Sequence, residues 1–89
     1  MENRISVISI LVEDTRSSAK INDLLHEYGG YIIGRMGIPY KEKGLSIICV
    51  VIDAPGDVTS SLSGKLGMLH GVGSKTITAK AAPRASDPT

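Results

Sequence analysis

Three side chains of this sequence could bind a transition metal: His26, Cys49 and His70. They lie far apart in the chain and have none of the short spacings that are typical of zinc or nickel sites. Both histidines are predicted near helix C-termini, at opposite ends of the protomer, where an imidazole can interact with the helix dipole. We therefore predict no metal site within one chain. A site that these residues build between subunits is the open alternative.

Residues 34–40, with the sequence GRMGIPY, offer a different chemistry. Arg35 carries a planar guanidinium that can bind a carboxylate or a phosphate. Gly34 and Gly37 permit close approach of another backbone along an edge strand. We therefore predict a ligand site or an interface at Gly34, Arg35, Met36, Gly37 and Tyr40. In the simpler interpretation, the glycines form a bulge that bends the edge of the sheet.

Two glycines, Gly64 and Gly67, fall inside the second predicted helix. Each mid-helix glycine costs about 1 kcal/mol relative to alanine. Either a partner or ligand approaches the helix closely at these positions, or the helix is simply weak there. We include both glycines among the candidate ligand or interface residues.

No motif for catalysis is present. The sequence has no G-x-S-x-G nucleophile elbow, and no histidine is placed beside Cys49 or a serine by the sequence. Residues 71–75, GVGSK, follow a predicted helix and enter a strand, whereas a P-loop follows a strand and opens a helix. We predict no catalytic residue, no cofactor and no enzymatic activity.

Composition narrows the class of protein further. The 89 residues make one small domain with a formal net charge of +1, which gives no electrostatic case for binding nucleic acid. There is no Phe or Trp on which bases could stack. The single cysteine is compatible with a reducing compartment, and no secretory or membrane-spanning pattern is present. We expect a cytoplasmic domain that does not bind membranes.

The elements that must position these residues follow from hydrophobic periodicity. Strands are predicted at residues 4–12, 31–40, 45–53 and 72–80. A helix is predicted at residues 15–28, capped by Asp14 and ended by left-handed glycine at Gly29-Gly30. A second helix begins near residues 53–57, with Asp53 as a possible cap, and is closed by Gly71.

The order βαββαβ predicts an α+β ferredoxin-like sandwich with an antiparallel sheet in the order 4-1-3-2. Strands one and three are apolar on both faces, as central strands should be, and glycine and proline place strand two at an edge. We predict one domain at residues 1–80 and a flexible tail at residues 81–89.

Helices can cover only one face of such a sheet. The other face still carries apolar side chains from the central strands, and a contiguous apolar patch of this kind is typical of an interface. We therefore predict a homo-oligomer, a dimer or a tetramer.

Several short motifs resemble one protein family. They are HEYG at residues 26–29, GRMG-x-PY at residues 34–40, SGKLGML at residues 63–69, and Gly71-Val72 with Lys75-Thr76. Together they resemble the regulators of the iron-only hydrogenase system over about residues 4–80. That family is similar in fold to the ligand-binding domain of the nickel-responsive repressor and to ACT domains, which are regulatory small-molecule modules.

The resemblance implies an ACT-like regulatory module that forms an oligomer and binds ligands between subunits. The sequence departs from the nickel-responsive repressor in two respects: only Met1-Glu2-Asn3 precedes the first strand, and there is no His-x-His pair. We therefore expect neither direct DNA binding nor nickel sensing of that kind. Our first hypothesis is a non-enzymatic module that senses a small ligand or docks on a protein partner. A metal-responsive sensor and a metallocentre assembly factor are the alternatives.

Overall fold

The computed structural model of the protein describes residues 2–80. The predicted tail at residues 81–89 therefore lies outside the described part of the chain. The elements, in chain order, are β1 (Asn3–Val12), α1 (Ser18–Glu27), β2 (Ile32–Tyr40), β3 (Leu45–Pro55), α2 (Gly56–Gly67) and β4 (Val72–Thr78). Single 3-10 turns at Thr15–Ser17 and Lys41–Lys43 precede α1 and β3. Neither α1 nor α2 is long and apolar enough to cross a membrane.

The four strands form one antiparallel sheet in the order β2-β3-β1-β4. This is the predicted order 4-1-3-2 read from the other edge, so the ferredoxin-like, ACT-like fold is confirmed. The two strands with apolar residues at both parities, β1 and β3, are central. The strand that contains Gly34, Gly37 and Pro39 is at an edge.

The helices cover one face of the sheet and make the core with it. Ile8, Ile10 and Val12 of β1 are at most 1% exposed. They join Val50 and Ile52 of β3 and a set of helical side chains from α1 and α2, namely Ile21, Leu25, Leu62 and Leu66. Burying an aliphatic side chain of this size contributes about 1.5–3 kcal/mol. We call this side of the sheet the covered face.

The opposite side, which we call the open face, has no helix on it. The strand register places several large apolar side chains there. Those with the greatest exposure are Val7, Leu11, Met36, Ile38, Tyr40 and Ile77. Alternate residues of one strand point to opposite faces, so the same strand β1 supplies buried Ile8 and exposed Val7.

The helix ends confirm one predicted cap and correct two others. Asp14 caps the turn before α1, since its side chain accepts a hydrogen bond from the Arg16 N–H. Gly29 and Gly30 do not adopt the left-handed conformation that we predicted, and α1 instead ends at Glu27 with a C-cap, Tyr28, of ordinary negative φ. Asp53 does not cap α2, because it lies within β3, which continues to Pro55.

Gly71 is left-handed, with φ of 69°, but it does not close α2 as we predicted, because the helix ends at Gly67 with Met68 as its C-cap. A Cβ at this position would lie 2.6 Å from the Cβ of Asp14. The Gly71 carbonyl also accepts a hydrogen bond from the Glu13 N–H at 2.7 Å. The segment after α2 is therefore packed directly on the segment before α1.

Candidate functional site

Arg35 lies on edge strand β2 and points to the covered face. Its register partner is Val50, which is a core residue of that face. The guanidinium reaches α1, where it donates a hydrogen bond to the Asn22 side-chain oxygen at 3.2 Å. This contact holds the guanidinium between the edge of the sheet and the helix.

A cleft of about 240 Å³ opens beside this guanidinium. Buried Val12 and Ile21 and half-buried Ile48 line it with apolar surface, while Asn22 and Arg35 line it with polar groups. Gly37, the register partner of Ile48, has no side chain to fill the space, and a Cβ there would meet nothing within 4 Å. We call this cleft the Arg35 pocket.

The electrostatics of the Arg35 pocket favour an anion. Arg35 is the one charged side chain among the described residues that line it. Within residues 2–80 the ion pairs join Arg16 and His70 to Asp14 and Lys65 to Glu27, so Arg35 has no carboxylate partner in the described part of the chain. A guanidinium with several free N–H donors can bind a planar carboxylate through two hydrogen bonds. The apolar walls suit a short hydrocarbon group next to that carboxylate.

The other predicted residues of β2 are divided between the two faces of the sheet. Gly37 lies with Arg35 on the covered side, whereas Gly34, Met36 and Tyr40 pair with open-face positions of β3. The cause is the ordinary alternation of side chains between the two faces of a strand. A register shift between Ile32 and Gly34 lies just before these residues and sets which face each of them takes. The segment therefore contributes to a pocket on one side and to an exposed apolar surface on the other.

Gly64 and Gly67 are not part of the Arg35 pocket. They lie on α2, which packs mainly against β4 at the far edge of the sheet from β2. A Cβ at Gly64 would meet nothing within 4 Å, and one at Gly67 would meet the Ser74 hydroxyl at an ordinary 3.6 Å. Packing within the described protomer therefore does not require glycine at either position, and their role in an interface stays a prediction.

The three candidate metal ligands are not brought together. His26 lies in the last turn of α1, His70 contacts Asp14 before the start of that helix, and Cys49 lies on the open face. Among residues 2–80 no group of three or more potential ligands is arranged to hold a metal ion. The site shared between subunits stays a prediction.

A polar cluster at the start of α1 was only partly visible in the sequence. The Asp14 carboxylate contacts the Arg16 guanidinium at 2.9 Å and the His70 Nδ1 at 2.7 Å. The Ser17 hydroxyl donates to the His70 carbonyl at 2.7 Å. Hydrogen bonds from the Arg16 side chain, from its backbone N–H and from His70 hold the pKa of Asp14 well below its usual value. The sequence predicted Asp14 as a cap but gave no sign that His70 would meet it.

Comparisons with known proteins agree with this architecture. Residues 4–76 match a family model named TM1266-like, whose description reads "Iron-only hydrogenase system regulator, putative". The chain belongs to this family. A solved structure titled as the uncharacterized protein TM1266 from Thermotoga maritima is 35% identical, with a TM-score of 0.85 over 89% of this chain and all of that one. A comparison with curated proteins returns no significant match.

Two of the motifs that the sequence analysis identified contact each other in the structure. Tyr28 of HEYG and Lys65 of SGKLG meet between α1 and α2, where the Lys65 ammonium donates to the Tyr28 hydroxyl at 2.9 Å. That hydrogen bond, with a second from Ser61, lowers the pKa of Tyr28. Because the Tyr28 and Lys65 side chains lie outside the Arg35 pocket and join two helices, their role in the structure is to hold the helical layer together.

Proposed function

We propose that the protein is a non-enzymatic regulatory module of the iron-only hydrogenase system that senses a small anion in the Arg35 pocket. The family match supports a regulatory role. The observation that carries ligand sensing is the Arg35 guanidinium, held by Asn22 over an apolar cleft and without a carboxylate partner in the described residues. The ligand in this proposal has a carboxylate or phosphate and a short apolar group.

The position of the Arg35 pocket supports a sensing role rather than a catalytic one. Ser18 and Ser46 line it, but its described lining includes no histidine, lysine or carboxylate that could activate a serine hydroxyl or act as a general acid or base. Arginine is protonated at all ordinary pH values, so it can bind an anion but cannot exchange a proton with it. A bound anion would instead bridge β2 and α1, the two elements that Arg35 and Asn22 already connect.

Regulation requires that binding at one place changes affinity at another. In this proposal the ligand orders edge strand β2 against α1, and β2 also displays Met36 and Ile38 on the open face. In a homo-oligomer, the ordering of β2 would change the contacts that the open face makes with another subunit. The proposal involves no binding of nucleic acid or membrane. We propose a cytoplasmic location, which the single cysteine supports because it is compatible with a reducing compartment.

Isothermal titration calorimetry with 3-methylbutanoate tests the pocket, with 3-methylbutanamide as a neutral control of the same shape and inorganic phosphate as a purely anionic one. We expect 3-methylbutanoate to bind and the amide to bind at least about tenfold more weakly, because it lacks the charge that Arg35 recognises. Arg35→Ala should abolish binding, whereas Lys43→Ala, which removes a cation outside the pocket, should not.

Amide chemical shifts identify where the probe binds. 3-Methylbutanoate should shift the resonances of Asn22, Arg35 and Gly37 and leave those of β4 unchanged. Binding that persists in Arg35→Ala, or equal affinity for the acid and its amide, would contradict the proposal.

A further inference from the structure

The open face has the apolar character of a buried surface although no described element covers it. Ile77 is 75% exposed, Met36 is 59% exposed and Ile38 is 50% exposed. Strand register makes these side chains continuous with Val7 and Leu11 of the central strand β1. A contiguous apolar patch rimmed by polar residues is characteristic of a protein interface.

The shape of the open face is complementary to the open face of a second copy. Two rows of side chains cross all four strands. One runs from β2 to β4 as Ile38, Ile47, Leu11 and Gly73, and the other as Gly34, Val51, Val7 and Ile77. Each row has a protruding isoleucine at one edge and a glycine at the other. The glycine of the first row lies in a depression of about 320 Å³ that is lined by Leu11 and Ile47.

We propose that the open face binds the open face of a second copy of this chain, about a two-fold axis that runs parallel to the strands. Such an axis lays β4 of one copy over β2 of the other and β1 over β3. Ile38 of one copy is then directed toward the Gly73 depression of the other, and Ile77 toward Gly34. Face-to-face packing of two sheets with nearly aligned strands is a common arrangement of β-sheets.

Charge selects this axis over the perpendicular one. The row between the two apolar rows crosses Met36, Cys49, Ser9 and Lys75. A two-fold axis perpendicular to the strands would lay β4 over β4 and bring the two Lys75 ammonium groups together, which like-charge repulsion disfavours. The parallel axis lays Lys75 over Met36 of the partner subunit. The aliphatic stem of Lys75 can then pack on the methionine while the ammonium reaches solvent at the edge of the sheet.

The size of the face is adequate for a dimer. Four strands of seven residues, at a spacing of about 4.8 Å and a rise of about 3.3 Å per residue, span about 19 by 23 Å. Protruding side chains present more accessible area than the plan of the sheet, so each copy can reach the about 500 Å² per partner that a small biological interface requires. The inference rests on the homo-oligomer in the proposed function and specifies its surface and symmetry.

Analytical ultracentrifugation of the purified protein tests the surface. The unaltered protein should be a dimer, and Val7→Asp should raise the dimer Kd about 100-fold or more by placing an unpaired carboxylate in the apolar contact. Met68→Asp is the matched control, since Met68 is 86% exposed on the helical side and its replacement should leave the dimer intact. A monomeric unaltered protein would overturn both the interface and the homo-oligomer. A dimer that survives Val7→Asp would overturn only the interface.

A pair of compensating substitutions tests the axis. A Cβ at Gly73 meets nothing within 4 Å of the described protomer, so Gly73→Val should fold normally. It should nevertheless weaken the dimer about tenfold by overpacking against Ile38 of the partner subunit. Adding Ile38→Ala should restore the dimer, whereas adding Ile77→Ala should not. Rescue by Ile77→Ala alone would overturn the parallel axis. Arg35→Ala separates the two proposals, because it should abolish anion binding and leave the dimer unchanged.

Discussion

The two faces of the sheet are built from the same residue types and differ in what lies on them. On β1, Ile8 and Ile10 are sealed beneath the helices, while Val7 and Leu11 of the same strand are 36% and 41% exposed. Hydrophobic burial is non-directional, so the apolar side chains of both faces gain free energy when they leave water. The covered face gains this free energy when one chain folds. We propose that the open face gains it when two folded chains associate.

The largest effect that separates the two faces should come from truncation of Ile8. Ile8→Ala removes a fully buried side chain and should lower the free energy of unfolding by about 2–5 kcal/mol at every protein concentration. Val7→Ala should lower it less, because Val7 is already partly exposed in the single protomer, and the loss should grow at concentrations where the dimer forms, because association stabilises the folded state by mass action. Urea unfolding at several protein concentrations measures both. A loss for Val7→Ala that does not change with protein concentration would contradict the distinction between the faces.

The loops show the same contrast between a packed side and an unpacked one. Gly71 and Gly44 are both left-handed, with φ of 69° and 65°. Gly71 lies against Asp14, whereas a Cβ at Gly44 in the β2–β3 hairpin would meet nothing within 4 Å. Gly44→Ala should therefore cost only the left-handed strain of about 1–2 kcal/mol.

Gly71→Ala should cost that strain and a further about 1–3 kcal/mol of displacement, because its Cβ would overlap the Asp14 backbone. Thermal unfolding of the two variants measures the difference between them. If Gly71→Ala were no more destabilising than Gly44→Ala, the contact with Asp14 would not be a constraint on the fold.

The sequence was sufficient for the fold because topology and composition agree. Apolar residues at both parities required β1 and β3 to be central, and Pro39 with two glycines required β2 to be at an edge. The side to which Arg35 points was not predictable. Side-chain direction alternates along a strand, so the single register shift between Ile32 and Gly34 reverses it for the residues that follow.

The polar cluster at the start of α1 was hidden for a similar reason. The contact between His70 and Asp14 joins residues that are distant in the chain, and no local pattern predicts their separation in space. The capping role of Asp14, which depends only on the residues that follow it, was predictable. Local sequence therefore identified candidate polar side chains such as Asp14. Which of these side chains lie close together depends on tertiary packing, which the local sequence does not show.

Two buried polar residues, one on α2 and one on β1, should respond to substitution in opposite directions. The buried Thr59 hydroxyl has no hydrogen-bond partner among the described residues, so Thr59→Val should raise the free energy of unfolding by about 1 kcal/mol. The equally buried Ser6 hydroxyl is paired with the Thr78 hydroxyl at 2.8 Å, so Ser6→Ala should lower it by about 1 kcal/mol. Urea unfolding checks both variants, and a stability loss in Thr59→Val would mean that its hydroxyl is satisfied.

The smallest effect should be the pH dependence of the polar cluster that joins the segment before α1 to the segment after α2. Hydrogen bonds from Arg16 and His70 lower the pKa of Asp14 from its usual 3.8 in the folded protein. A lowered folded-state pKa means that the unfolded chain takes up the proton first as pH falls. The stabilisation by Asp14 is therefore complete above about pH 5 and declines as the pH falls below the unfolded-state value toward the folded one.

Asp14→Asn should accordingly lower Tm near neutral pH, and the difference from the unaltered protein should shrink as the solution is acidified below about pH 4. Thermal unfolding monitored by circular dichroism across this range measures the effect. Asp23→Asn removes an exposed carboxylate from α1 without touching the cluster and serves as the control. A constant difference in Tm at every pH would mean that Asp14 stabilises α1 as an uncharged cap. The ion pairs with Arg16 and His70 would then contribute nothing to the junction between the segments before α1 and after α2.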